Sequence, residues 1–298
     1  MRSQYRQAFT SLAATLILLT GTSANAEPQW RLLLDASLSQ WETYLGYPNK
    51  GTEAKQLAKN KEGEYTQPVG YNQDEWGIFT VSEASGEPVL RVSGEVYGGI
   101  FTKENYGNYH LQLQVKWGDK KWPPRLEKSL DSGILYHGNG EHGVDYWKAW
   151  PLSQEFQIIE HSEEGTTGDW WKIADSQITI ACSRTNKKAS YQYAAGAPPL
   201  NFGSENGASN TCRASHNNEK PKGEWNTLDL ITYEGKSLHI VNGEVVMALS
   251  DSAYTEQGKV HPLTSGRIVL QSEAGEVFFR RIKIKPIDSL PAAYTSFF

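Results

Sequence analysis

Past the first thirty positions, apolar residues fall in short runs rich in β-branched and aromatic side chains, with Gly, Asn, Asp or Pro between them. Hardly any stretch repeats its apolar positions at helical spacing, so the pattern predicts strands. The runs are 77–81, 89–96, 109–117, 133–136, 155–159, 178–182, 227–233, 237–241, 245–249, 266–271 and 277–285. Val241-Asn242-Gly243-Glu244 sets Asn-Gly between two apolar runs, a strong hairpin signal. Tyr233-Glu234-Gly235-Lys236 is a weaker turn of the same kind, and the two together predict a three-strand meander. Residues 52–61 read equally as a short helix or a surface loop. Around a dozen strands without a helical domain predict an all-β protein, a two-sheet antiparallel jelly-roll sandwich. No repeat and no Pro/Ser-rich linker divides the chain, so one domain is expected over 27–298.

The N-terminus reads as an export signal. Arg2 and Arg6 precede a short apolar stretch over 8–20, and Ala24-Asn25-Ala26 is a small-x-small cleavage site. The stretch is too short for a bilayer that needs ~20 residues, and no cysteine near the cut suggests a lipoprotein. The expectation is a leader over 1–26 and a soluble product in the periplasm or outside the cell. The net charge of the whole chain is −5, and losing Arg2 and Arg6 makes it more negative. With no basic run, nucleic acid is a poor partner, and no later apolar stretch reaches membrane length. The two cysteines, Cys182 and Cys212, are expected to pair in an oxidising compartment. They bracket part of a segment, 174–218, that has little periodicity and reads as an irregular insert.

The densest chemistry lies between Asp131 and Asp175. There His137, His142, Asp145, Glu155, Gln157, Glu160, His161 and Asp169 interleave with Trp147, Trp150, Trp170 and Trp171. Flat rings stack on the C–H faces of sugars, and carboxylates and amides bond sugar hydroxyls, so the cluster suggests a carbohydrate cleft. Strand alternation over 153–161 puts Glu155, Gln157 and Ile159 on one face and Phe156, Ile158 and Glu160 on the other. A bulge near Ile159 would bring Glu160 round to join Glu155. Gln271 and Glu273 share a strand face further on. Arg280 is expected on an apolar face with Phe278, Ile282 and Ile284, either paired with a carboxylate or binding an oxyanion.

Several motifs, in order, resemble one family. Asp131-Ser-Gly-Ile-Leu-Tyr-His137, Glu155-x-Gln157-Ile158, Gly223-Glu-Trp-Asn-Thr227 with Asn242-Gly243, Ile268-x-Leu-Gln-Ser-Glu273 and Val277-x-Phe-Arg-Arg-Ile282 are similar to segments of the 3-keto-disaccharide hydrolases. The resemblance spans roughly residues 30 to 286 and implies a concanavalin- or glucanase-like jelly roll acting on an oxidised disaccharide or glucoside. It departs where Asp131 and Arg281 stand in place of Asn, and it leaves 174–218 unaccounted for. A ketone at C3 acidifies C2–H, so a base can remove that proton and expel the C1 aglycone before water adds. On this reading His137 or Glu155 is the base and the other assists. Glu160 is a further catalytic candidate, and Asp131, Gln157, His161, Asp169, Trp170, Gln271, Glu273 and Arg280 are substrate-binding candidates. A divalent metal is a candidate cofactor, although no diagnostic ligand spacing appears. Two rivals stand beside it: a laminarinase-like β-glucanase, whose Glu-x-Asp-x-x-Glu strand has Gln157 here instead of Asp, and a binding module without turnover.

Overall fold

The computed structural model describes residues 29–84, 86–185 and 190–298. The expected leader, 1–26, lies outside the described residues. Two antiparallel sheets stack into a sandwich, one of 12 strands and one of 8, so the all-β jelly-roll expectation holds. Each run read from the sequence overlaps a strand, usually longer than its apolar stretch, although 77–81 starts before its strand Phe79–Ala84 and 89–96 runs past the end of strand Glu87–Val92. The meander is present: Tyr233 pairs with Lys236 and Val241 with Glu244 across two-residue turns. Both turns need left-handed backbone, which Glu234 (φ 47°), Gly235 (φ 78°), Asn242 (φ 50°) and Gly243 (φ 88°) supply. Residues 52–61 form turns and no helix. Among the described residues, no helix is long and apolar enough to cross a membrane.

The two sheets differ in what covers their outer faces. In the larger sheet, strand Tyr109–Lys121 alternates: Leu111, Leu113 and Val115 point into the core, while Gln112, Gln114 and Lys116 are half-buried outside. In the smaller sheet, strand Asp131–Asn139 is buried on both faces up to Gly138. Its inner face carries Ile134 and Tyr136, which join Phe156, Ile158, Leu270 and Phe279 between the sheets. Burying each such large apolar side chain stabilises the fold by about 1.5–3 kcal/mol. The outer face is buried as well, because loops fold over it: Phe101, Val269 and Leu135 pack with Trp150, and the polar Asp131, Glu155 and Gln157 lie beside them. A site therefore has somewhere to form.

The segment 174–218 is less irregular than its composition suggests. It begins with strand Ser176–Arg184 and adds Tyr191–Tyr193, Pro199–Phe202 and Thr211–Cys212 as short edge pieces. Cys182 lies in the larger sheet and Cys212 in the smaller, and their disulfide ties the two together. With a sequence separation of 30, the closed loop is worth about 3–4 kcal/mol in the chain-entropy model.

Candidate active site

The smaller sheet runs Thr211–Cys212, Trp170–Ile173, Leu152–Ile159, Asp131–Asn139, Arg267–Ser272, Gly98–Thr102, Trp41–Leu45, Gly70–Tyr71. On its outer face, register sets Glu155 beside Leu135 on one side and Trp171 on the other. Gln157 lies beside Gly133, and Gln271 beside Gly99. A cleft of about 430 Å³ opens over this row. Asp131, Glu155, Gln157, Gln271 and Glu273 line it, with Asp145, Trp147, Trp150 and Trp171 around them. Gly133 is required here. A Cβ at that position would run into the Gln271 side-chain oxygen and stand 2.7 Å from a Glu155 oxygen.

Asp131, Glu155 and Glu273 are buried carboxyls facing one guanidinium, Arg125. Arg125 pairs with Asp131 and, at 3.2 Å, with Glu273. Gln157 Nε2 donates to Asp131. Glu155 has no salt bridge among the described residues. Burial, then the charges of Glu273 and Asp131, hold its carboxyl well above the usual range, with Gln271 and Arg125 pulling the other way. Burial likewise raises Glu273, which Arg125 limits to about 7. Burial and Glu273 also raise Asp131 against the pull of Arg125. One cation cannot neutralise three carboxylates in a dry cleft, so the cluster retains a proton near neutral pH. The fully buried Gln271 side chain makes no aligned hydrogen bond. Its amide faces the cleft.

Several sequence candidates lie elsewhere. His137 would share the cleft face with Asp131 and Gly133 if alternation continued. Instead a bulge follows Tyr136, His137 takes φ 56°, and its ring turns in between the sheets. There Nδ1 donates to the Leu263 carbonyl at 2.9 Å, the ring meets Tyr109 edge-on, and burial lowers its pKa to about 4. His137 and Glu155 do not converge. Glu160 falls just beyond the end of its strand with no bulge to bring it round, 3.9 Å from Lys121. His161 is exposed and bonds Thr166. Asp169 is fully buried as a structural anchor for Arg213 (2.8 Å) and the Ala214 N–H (2.7 Å). Trp170 pairs in register with Phe156, so it faces the core, where its Nε1 donates to Gln154. Its neighbour Trp171 takes the cleft side. Arg280 is on the outer face of the larger sheet, on Glu87 (2.6 Å) and over the Trp225 ring. A bulge at Arg281 (φ 51°) separates its face from that of Ile282 and Ile284.

Arg125 carries no sequence signal of its own because it sits in a loop four residues past the end of strand Tyr109–Lys121, and its partner Glu273 is remote in sequence. Its position in Trp122-Pro-Pro-Arg125, shortly before Asp131, was the available hint. Among the described residues no three His, Cys, Asp or Glu side chains form a group able to hold a metal ion. Arg125 already engages two of the cleft carboxylates, so the residues present do not fit a preformed metal centre.

A buried acid cluster framed by tryptophans is thus set on the outer face of the β-sandwich. The chain belongs to the family of the 3-keto-alpha-glucoside-1,2-lyase-like domain, whose model matches residues 29–285. No curated protein matches it. Among solved structures, it is similar to a protein of Parabacteroides distasonis provisionally described as a glycosyl hydrolase. That similarity is 18% identity with a TM-score of 0.45, covering 87% of this chain and 100% of the other. A second such protein from the same organism gives 18%, 0.44, 87% and 94%. A β-glucanase of Bacillus licheniformis gives 10%, 0.38, 88% and 99%.

Proposed function

We propose that this protein is an exported enzyme that cleaves 3-keto-glucosides or 3-keto-disaccharides by elimination and hydration. The observation that carries the reading is the set of three buried carboxyls around one guanidinium. Environments that push acid strengths apart assign the roles of base and acid. Glu273, held near 7 by Arg125, is ionised often enough at neutral pH to remove the C2 proton. The C2–H bonding electrons pass to the C3 carbonyl oxygen, where Arg125 and the Gln271 amide, which makes no aligned hydrogen bond, offer donors to the developing enolate. Collapse of the enolate forms the C1=C2 bond and breaks C1–O. Glu155, protonated because no cation pairs with it, gives its proton to the departing aglycone oxygen. Water then adds at C1 and a proton returns to C2, which completes net hydrolysis. Asp131 and Gln157 bond hydroxyls of the sugar.

Glu160 lines a different pocket from Glu155, so the Glu155–Glu160 pair that a laminarinase-like reading needs is not in this cleft. The test is a turnover assay on methyl 3-keto-α-glucoside across pH. Aglycone release is expected to rise as pH passes about 7, where Glu273 ionises, and to fall at higher pH as Glu155 loses its proton. A transient enone should absorb in the ultraviolet. Binding without release at any pH would leave a sugar-binding module in place of an enzyme.

A further inference from the structure

We infer that Trp171 is the aglycone platform of the cleft, receiving the C–H face of a second sugar ring. The inference rests on the proposed reaction and deepens it. Trp171 is the register partner of Glu155 on the next strand, so their Cβ atoms stand about 5 Å apart on one sheet face. The acid that protonates the leaving oxygen must touch the bond between the two rings. The base lies two strands the other way, at the end of strand Arg267–Ser272. Base, acid and indole therefore succeed one another across the sheet, and the leaving group points at Trp171.

The surroundings of Trp171 suit a sugar. The residue is 37% exposed, while Trp170 beside it is fully buried. Being in a strand, its backbone is already fixed, and Lys172 N–H bonds the Asn210 carbonyl at 2.9 Å behind it. Lys172 and Asn210 also line this end of the cleft and offer donors for ring hydroxyls. An indole held rigid, part in water and beside an acid, has unsatisfied apolar surface with a polar rim. The other exposed indole lining the cleft, Trp147, is on the far flank. Asp145 pins its loop by accepting from the Trp147, Ala149 and Trp150 N–H groups, and the Trp150 indole donates to Gly98. From the Gly98 strand to the Trp171 strand is four spacings, about 19 Å. That is wider than one pyranose needs, so Trp147 belongs to the oxidised ring's side.

The experiment compares kcat/KM on an α-linked glucose disaccharide oxidised at C3 with that on methyl 3-keto-α-glucoside. Both leave as alcohols, so leaving-group chemistry is matched. Trp171→Ala is expected to lower the disaccharide-to-methyl ratio about tenfold, through KM, and Trp171→Phe to restore part of it. Trp147→Ala should lower both substrates together and leave the ratio. An unchanged ratio in Trp171→Ala, or a ratio carried by Trp147 instead, would overturn the assignment. If the wild type turns over neither substrate, the proposed reaction fails, and calorimetric binding of the unoxidised disaccharide and methyl glucoside decides the platform alone. The disaccharide must then bind more tightly, and Trp171→Ala must erase that margin.

Discussion

Glu155→Gln is expected to lose about 10³-fold in kcat on a sugar or methyl aglycone but only about tenfold on a nitrophenyl aglycone. A general acid matters in proportion to how badly the departing oxygen needs a proton. An alkoxide needs one, and a nitrophenolate leaves nearly unaided. Gln keeps the shape and the contact with Gln271 while removing the transferable proton. The substitution should not harm the fold. Glu155 is buried, with its carboxyl raised well above the usual range by burial and by two neighbouring carboxylates. Its ionisation opposes folding wherever pH exceeds the unfolded value, so the neutral amide should be at least as stable at pH 8. A variant dead on methyl glycoside, active on nitrophenyl glycoside and no less stable would identify an acid. Equal loss on both substrates would count against that role.

Glu273→Gln should behave differently: about 10³–10⁴-fold loss on every aglycone, because C2–H abstraction precedes departure whatever leaves. Stability gives an independent reading. Glu273 titrates near 7 in the folded protein against 4.5 for a free carboxyl. The folded state therefore binds more protons between those values, and wild-type stability falls as pH rises from about 4.5 to about 7. Glu273→Gln removes that part of the slope and should raise the melting temperature at pH 8 by about 3 °C. Arg125 keeps Asp131 as a partner, so the substitution does not strand a buried cation. A melting curve that is lower at pH 8 than the wild type's would mean that Arg125 depends on Glu273 for charge balance.

Alternation carried the sequence reading a long way. It placed Glu155 and Gln157 on one face and Phe156 and Ile158 on the other, which is how the strand lies. What it could not see was interruption. His137 and Arg281 each occupy a bulge with positive φ, and each bulge moves side chains off the face that counting by two assigns. Neither is Gly or Asn, the residues that usually announce such backbone. Of Trp170 and Trp171, either could have faced the core. Only register with Phe156 and Glu155 decides, and register is a long-range property. Strand Gly98–Thr102 was missed because glycine weakens a strand signal. Its glycines serve close packing, with Val269 pressed against Gly99. Arg125 acquires its meaning through two partners, Asp131 and Glu273, one of them 148 residues away. Linear spacing holds no trace of that.

In the proposed reaction the C2 proton leaves during net hydrolysis. Turnover of a 3-keto-glucoside in D2O, followed by inspection of C2 in the released 3-keto-glucose, tests it most directly. Deuterium at C2, incorporated at the rate of aglycone release and faster than in enzyme-free 3-keto-glucose, is the predicted result. Protium retained at C2 through complete cleavage would contradict the account.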